Sequence, residues 1–404
     1  MAQSNFTTLN NLVFPFKNYV LALPGWYPTW VDPLPGDFNQ RHIIAASLHT
    51  PQIVLFINKD VSGTIKKTEV RYNQLSKQVI EVIVLYPKSN VEFIDPVKSG
   101  IYFLNLLRKY ATLIKKRWGP PVLMHSYIVV KGGIEGLILS KRWGLPFILT
   151  ENWTIYYPND PGYLSKRGKG FKWAVHRVFG GVKYFLPVTN DLYSKASKLL
   201  KNVPYTVVPN VVDTETFFLN EKTASNNFRF VHVSTMIYQK NPHGLLRCFK
   251  AVMEEHPQAT LLMVGPHPAE VKDYAAALGF TEKNVRFTGA VSYKKVAEFL
   301  MSADALVLFS RYENLPCVIL EALCCGVPVI STTVGGIAEV INNDNGILVE
   351  ESNEVQLMEA LRKMIKGYSD FDREKISEDA LAKYSYAAVG KQIYSVYQQV
   401  GCIE

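Results

Sequence analysis

Two carboxylates, Glu313 and Glu321, stand in the stretch SRYENLPCVILEALCCGVPVIST at residues 310–332. Pro316 between them suits the first turn of a helix, where its missing N–H costs nothing, and Gly326 suits a C-terminal cap, so a helix is predicted over 316–325. The N-terminus of that helix follows the apolar run ALVLFS, a predicted strand, and offers unpaired N–H groups with a partial positive charge to an anion such as a diphosphate. Glu321 lies inside CVILEALCC, where a buried carboxylate needs hydrogen-bond donors, and a vicinal diol supplies two. On spacing alone, a surface carboxylate and a loop charge explain the pair equally well.

A cation completes the pattern. Lys240 follows FRFVHVS and precedes a helix that Asn241 can cap and Pro242 can open. A positive charge there opposes the helix dipole unless an anion lies between, although a solvated loop lysine is the plainer reading. Gly335 and Gly336 follow PVIST and start another predicted helix, serving either a close backbone approach or a tight turn. In the first half His125 follows the apolar run VLM, a position open to acid–base work as well as to a structural role.

Other chemistries lose their support. No strand is followed by G-x-G-x-x-G, and the glycines of KGGIEG at 131–136 have the wrong spacing for a dinucleotide site. Gly162 and Gly168-Lys169 do not form a phosphate loop, because no strand precedes them and the spacing is off. The five cysteines, all in the second half, include no C-x-x-C pair, so neither zinc nor a disulfide framework is suggested.

The elements that must position these residues read as α/β throughout. Apolar runs bounded by turn residues alternate with helix-like stretches, the pattern of parallel layers. Strands are predicted at NYVLAL, QIVLFI, IEVIVLY, VLMHSY, PFILT, YFLPVT and YTVVP, then at FRFVHVS, ATLLMVG, VRFTG, ALVLFS, PVIST and GILVE. First-half helices are predicted to begin near Phe38, Gly100, Gly133 and Asp191. The chain's 404 residues exceed what one core usually serves, so two Rossmann-like doubly wound domains facing a central cleft are expected. Their expected bounds are 1–210 and 227–380, with a linker at 211–226 where apolar periodicity lapses.

Charge divides unevenly. Residues 1–210 hold 26 Lys and Arg against 11 Asp and Glu, while the remainder is net acidic, although the whole chain is +9. The first half should therefore meet something anionic: a membrane surface, an acidic acceptor or a nucleic acid. Two runs interleave cations with aromatics, RKYATLIKKRW at 108–118 and YLSKRGKGFKWAVHRVF at 163–179, which suits an anionic leaflet or a solvated helix face. No recognised nucleic-acid motif is present. The opening MAQSNFTTLNN lacks a positively charged and then apolar leader, so a cytoplasmic location is expected, with the inner face of the cytoplasmic membrane as a docking surface.

The pattern E-x7-E in ENLPCVILEALCCGVPV, followed by VGGIAEV and NGILVE, resembles the retaining glycosyltransferase family 4 with the GT-B fold. The resemblance runs upstream through VPNVVDTETF, STMIYQKNPHGLL and VRFTGAVSYKKVAEFLMSADALVLFS, and includes YPTWVDPLPGDFNQRHI. It implies transfer of a sugar from a UDP- or GDP-sugar to a glycan or lipid-linked acceptor, with retention and without a metal or other cofactor. It also implies that the first domain takes the acceptor and that 381–404 forms a helix crossing back to that domain. Glu313 would contact the sugar and Glu321 the ribose. Lys240, the glycine loop at Gly36, and backbone groups of Asn314, Leu315 and Pro316 would face the sugar and diphosphate. Two departures stand out. Where the family usually has Gly-Arg-Leu before the lysine, this chain has Ser234-Thr235-Met236, and Thr235 lacks the arginine's charge, so one phosphate contact falls to Arg311 or another residue. In TENW, Asn152 stands where the family commonly has histidine. A nucleotide-sugar epimerase on the same fold, and a non-enzymatic basic protein binding nucleic acid or membrane, are the rival readings.

Overall fold

The structure, a computed structural model, describes residues 12–88, 95–200, 202–221 and 227–401, so the opening 1–11, the linker's 222–226 and the final 402–404 lie outside it. The first half builds a sheet from β1 (Val20–Pro24), β2 (Gln52–Asp60), β3 (Glu69–Ser76), β4 (Val79–Pro87), β5 (Leu123–Tyr127), β6 (Phe147–Glu151) and β7 (Tyr184–Pro187). Their order is β3-β4-β2-β1-β5-β6-β7, with β3 alone antiparallel to its neighbour. All residues of β1, β5 and β6 are buried, which is why these strands show no apolar–polar alternation, with polar residues only toward the carboxyl ends of β5 and β6. Covering them are α1 (Asp37–Ser47), α2 (Asp95–Trp118), α3 (Gly132–Trp143), α4 (Lys169–Phe179) and α5 (Asn190–Ala196).

The second sheet is wholly parallel. It contains β8 (Arg229–Val233), β9 (Thr260–Val264), β10 (Val285–Phe287), β11 (Ala305–Leu308), β12 (Val329–Thr332) and β13 (Gly346–Val349), ordered β10-β9-β8-β11-β12-β13. Its helices are α6 (Pro242–Glu255), α7 (Ala269–Ala277), α8 (Tyr293–Ser302), α9 (Cys317–Cys324), α10 (Glu354–Lys366) and α11 (Arg373–Tyr384). A last helix, α12 (Tyr386–Gln399), leaves this domain and packs on α1. Gly390 permits that contact, since a Cβ there would stand 2.3 Å from the Ala45 carbonyl oxygen. Val389, Ile393 and Tyr397 of α12 share one apolar cluster with Val20, Ala45 and Leu123.

Four local readings need correction. β3 and α4 were not anticipated: β3 is a partly exposed edge strand rich in polar residues, and α4 opens on Lys169 after glycine and cations. The expected strand YTVVP runs beside β7, with Thr206 N–H donating to Phe185 O at 3.1 Å and Val208 N–H to Pro187 O at 2.9 Å, yet forms only an isolated bridge. Pro204 and Pro209 bracket it, and neither has an N–H to donate. After Gly336 the chain makes a short 3₁₀ turn, Ile337–Glu339, instead of a helix.

Strand order reverses direction beside β1 in one sheet and beside β8 in the other. The loops leaving β1, β5, β8 and β11 therefore diverge at the strands' carboxyl ends, leaving the crevices where open α/β sheets hold ligands.

Candidate functional site

The loop after β8 is pinned from below. His232 is fully buried, and its Nδ1 stands 2.9 Å from the Val307 carbonyl, which can only accept, so Nδ1 carries the proton. Nε2 then accepts from the Ser234 hydroxyl at 2.7 Å, and Ser234 Oγ accepts the Met236 N–H at 2.9 Å. Burial, with Lys240 adding to it, pushes the His232 pKa down to about 4, so the ring stays neutral. Ser234 is thus spent on holding the loop, and Thr235 beside it is exposed.

Lys240 emerges from this loop and makes an ion pair with Glu313 from the loop after β11. Gln239 stitches the two loops: its Nε2 donates to Tyr312 O at 2.9 Å and lies 3.3 Å from Glu313 Oε2, while Arg311 N–H donates to Gln239 O at 2.7 Å. Asn241 sits before α6 with φ of 50°, but its side chain does not cap the helix as expected. Its Oδ1 instead accepts from Arg311 at 2.8 Å. Arg311 also donates to Ser352 at 3.0 Å and lies over the Tyr238 ring, so a second cation stands close to Lys240.

Pro316 precedes α9 with extended backbone, and the helix runs from Cys317 to Cys324, slightly shorter than predicted. Asn314 Oδ1 accepts from Thr189 Oγ1 at 3.1 Å, and the Leu315 carbonyl accepts from Asn210 Nδ2 at 2.8 Å, so both residues meet the first domain. Asn314 Nδ2 is buried with no partner. Gly335 and Gly336 follow because of close approach: a Cβ at Gly335 would stand 2.2 Å from Glu313 O, and one at Gly336 2.1 Å from Thr189 Cγ2. Glu339, just beyond, accepts the Asn190 and Asp191 N–H groups at 2.8 and 2.7 Å, placing a carboxylate at the N-terminus of α5.

Glu321 is buried, as its apolar setting suggested, and its partners come from two places. Arg41 of α1 reaches across from the first domain to Glu321 Oε1 at 2.9 Å, and the Tyr293 hydroxyl of α8 donates to the same oxygen at 2.7 Å. Sequence reasoning missed both. Neither spacing nor composition marks Arg41 or Tyr293, because they meet Glu321 only through the packing of three helices.

In the first domain Gly36 stands before α1 with φ of 80°, and a Cβ there would lie 2.2 Å from the Trp26 carbonyl carbon, so only glycine lets this loop lie against the chain leaving β1. His125 is not brought to the cleft. It is fully buried between Tyr127 and α12, with Nε2 2.7 Å from Thr150 Oγ1 and Nδ1 2.8 Å from the Tyr397 hydroxyl, and burial holds its pKa well below the ordinary value. Alternation along β5 puts His125 on the same sheet face as Leu123, the face that α12 covers, so the ring is enclosed there. Asn152 has a buried, unpartnered Oδ1. The preceding Glu151 accepts N–H groups from Val129, Asn152 and Trp153 at 2.9, 3.0 and 2.9 Å, and burial raises its pKa to about 7.

The basic runs become α4 and the end of α2. Trp173 of α4 is 66% exposed, with Arg177 over its ring, while Val175, Val178 and Phe179 face the core. Asp370-Phe371-Asp372 is an Asp-x-Asp motif that sequence reasoning passed over; Asp372 caps α11, accepting the Lys375 N–H at 3.0 Å. No helix among the described residues is long and apolar enough to cross a membrane.

Known proteins share both parts of this arrangement. Residues 213–383 match the family described as glycosyl transferases group 1. The chain is 25% identical over 289 residues to TuaC of Bacillus subtilis (strain 168), which is named as a teichuronic acid biosynthesis glycosyltransferase; the match covers 69% of this chain and 68% of that protein. Uncharacterized glycosyltransferase MJ1178 of Methanocaldococcus jannaschii is 26% identical over 367 residues, covering 89% of this chain and 95% of that protein. Sucrose-phosphate synthase from Thermosynechococcus elongatus superposes with a TM-score of 0.74 at 15% identity, covering 95% of this chain and 99% of that one. Anabaena HepE, solved in complex with UDP, gives 0.70 at 16% identity over 94% and 100%. The fold is GT-B, and the family match and named relatives support glycosyl transfer as the activity.

Proposed function

We propose that this chain is a retaining glycosyltransferase that moves a sugar from a UDP- or GDP-sugar to a lipid-linked or cell-surface glycan precursor, with no metal and no cofactor besides the donor. In this reading residues 227–380 hold the donor and 1–210 take the acceptor. The observation that carries it is the Lys240–Glu313 pair where the loops after β8 and β11 diverge, beside the start of α9. A diphosphate arriving there competes with Glu313 for the ammonium group. Lys240, aided by the N–H groups of the helix start, then stabilises the charge that develops on the leaving phosphate oxygen. Glu313, released, orients the sugar and offsets positive charge at its anomeric carbon. If that same phosphate oxygen takes the acceptor's proton, attack comes from the leaving group's face and configuration is kept. Glu321 accepts the ribose hydroxyls.

HepE is described in complex with UDP and with UDP-glucose, which makes UDP-sugars the first donors to try. TuaC's name, which gives teichuronic acid biosynthesis, supports a glycan precursor as the acceptor. The exposed Trp173 and its neighbouring cations support docking of the first domain on an anionic leaflet, at the inner face of the cytoplasmic membrane. The test is incubation with a panel of UDP- and GDP-sugars, following slow hydrolysis by release of the nucleoside diphosphate and the anomer of the product by NMR. Release from one donor with retention supports the reading. Inversion removes the retaining mechanism, conversion of the donor to an isomeric nucleotide sugar favours an epimerase, and no turnover of any donor overturns the assignment.

A further inference from the structure

Glu321 is held in an unusual way for a carboxylate meant to receive a ligand. Arg41 Nη1 and the Tyr293 hydroxyl both bond its Oε1, and no hydrogen bond within the described residues engages Oε2. Arg41 is itself 6% exposed, braced by Asp37 at 3.0 Å one turn earlier in α1, and its Nε is buried without a partner. Its guanidinium also lies 5.2 Å from the Tyr293 ring centroid and bonds the Tyr293 hydroxyl, and Phe217 packs edge-on against that phenol with ring centroids 4.8 Å apart. Two side chains, one from each domain, thus converge on one carboxylate oxygen, and Asp37 and Phe217 brace them.

A buried ion pair of this kind contributes little to stability on balance, because desolvating both charges offsets their attraction. What it does well is fix geometry. A carboxylate tied at one oxygen by a planar guanidinium and a phenol has lost its freedom to rotate, so its second oxygen points one way. We infer that Arg41, with Tyr293, is a positioning residue for nucleotide recognition: it locks Glu321 so that Oε2 is presented to the ribose diol. Because Arg41 belongs to α1 and Glu321 to α9, the diol is read well only when the two domains are in contact. Donor binding and interdomain contact therefore reinforce each other, as linkage requires. This rests on the reading of Glu321 as the ribose carboxylate.

The experiment uses the full chain and calorimetric titration with UDP and GDP, each beside its 2′,3′-dideoxy counterpart. The preference for the diol-bearing nucleotide is the readout, since a general loss of stability weakens both alike and leaves the ratio unchanged. The parent should prefer the natural nucleotide by about tenfold or more. Glu321→Gln should remove most of that preference, Arg41→Ala should remove it to a similar extent, and Arg41→Lys and Tyr293→Phe should fall between. Arg41→Ala combined with Glu321→Gln should be no less selective than Glu321→Gln alone. If Glu321→Gln loses the preference while Arg41→Ala and Arg41→Lys keep it in full, the positioning role is wrong and the ribose reading stands. If Glu321→Gln keeps it, or the parent binds neither nucleotide, the ribose reading fails and this inference with it. Should Arg41→Ala not fold, Arg41→Lys and Tyr293→Phe decide the question.

Discussion

Lys240→Met and Glu313→Gln should destabilise the protein unequally, although each breaks the same ion pair. The Glu313 side chain is 7% exposed and that of Lys240 18%. Methionine at 240 strands a charged carboxylate whose other side-chain donor is Gln239 at 3.3 Å, and breaking a buried pair at one partner costs about 3–5 kcal/mol. Gln239 and the site's position in loops place the cost near the lower end, about 3 kcal/mol. Glutamine at 313 keeps a neutral acceptor for both Lys240 and Gln239, and the lysine can turn toward water, so about 1 kcal/mol is expected. Urea unfolding near neutral pH, followed by tryptophan fluorescence, should separate the variants by about 2 kcal/mol, Lys240→Met being the weaker. Both should lose turnover by roughly 10²–10³-fold while still folded, since each removes charge stabilisation at the reacting centre. Equal destabilisation, or a larger loss for Glu313→Gln, would refute the burial argument; parental turnover in either would refute the site.

His125→Ala should lower stability by about 3–4 kcal/mol, because it empties a buried site and leaves Thr150, Tyr127 and Tyr397 hydroxyls short of partners. The fraction that remains folded should keep parental kcat/KM; a specific loss of kcat would restore a catalytic role. Burial raises the Glu135 pKa from 4.5 to about 8, so the folded state holds a proton that the unfolded chain releases across that window, and stability falls as pH rises through it by up to about 1.4 kcal/mol per pH unit. Glu135→Gln removes this slope, so urea titrations at several pH values should show the variant gaining on the parent as pH rises, and a constant difference would contradict it. Gly36→Ala should weaken both stability and nucleotide binding, because its φ of 80° and the 2.2 Å approach to Trp26 leave no room for a methyl; calorimetric titration reads the second effect. Trp173→Ser should reduce sedimentation with anionic vesicles at physiological salt while leaving donor hydrolysis unchanged, and undiminished binding would remove α4 from the membrane contact.

Much of the architecture was legible because it depends on local physics. Parallel strands covered on both faces must be continuous apolar runs, and the buried β1, β5, β6 and β11 were found for that reason. The helix holding Glu321 was legible from Pro316, the apolar run and Gly326, and Lys240 was placed before a helix by Pro242 at its first position. Where local signals conflict with burial the reading slipped: β3 is a polar edge strand, and YTVVP is apolar but bracketed by prolines.

The sequence by itself determined which residues carry charge and which stand at strand and helix ends, because periodicity and capping act within a few residues. It could not decide partners. Whether Glu321 met solvent, a diol or a cation depended on how α1, α8 and α9 pack, and only the tertiary structure brought Arg41 and Tyr293 to it, from 280 and 28 residues away. His125 shows the reverse case: its residue type and its place after a strand suggested the cleft, but it stands on the face of β5 that α12 covers, and Tyr397 closes over it. Burial and long-range pairing are collective outcomes of the whole chain, and no short window of sequence contains them.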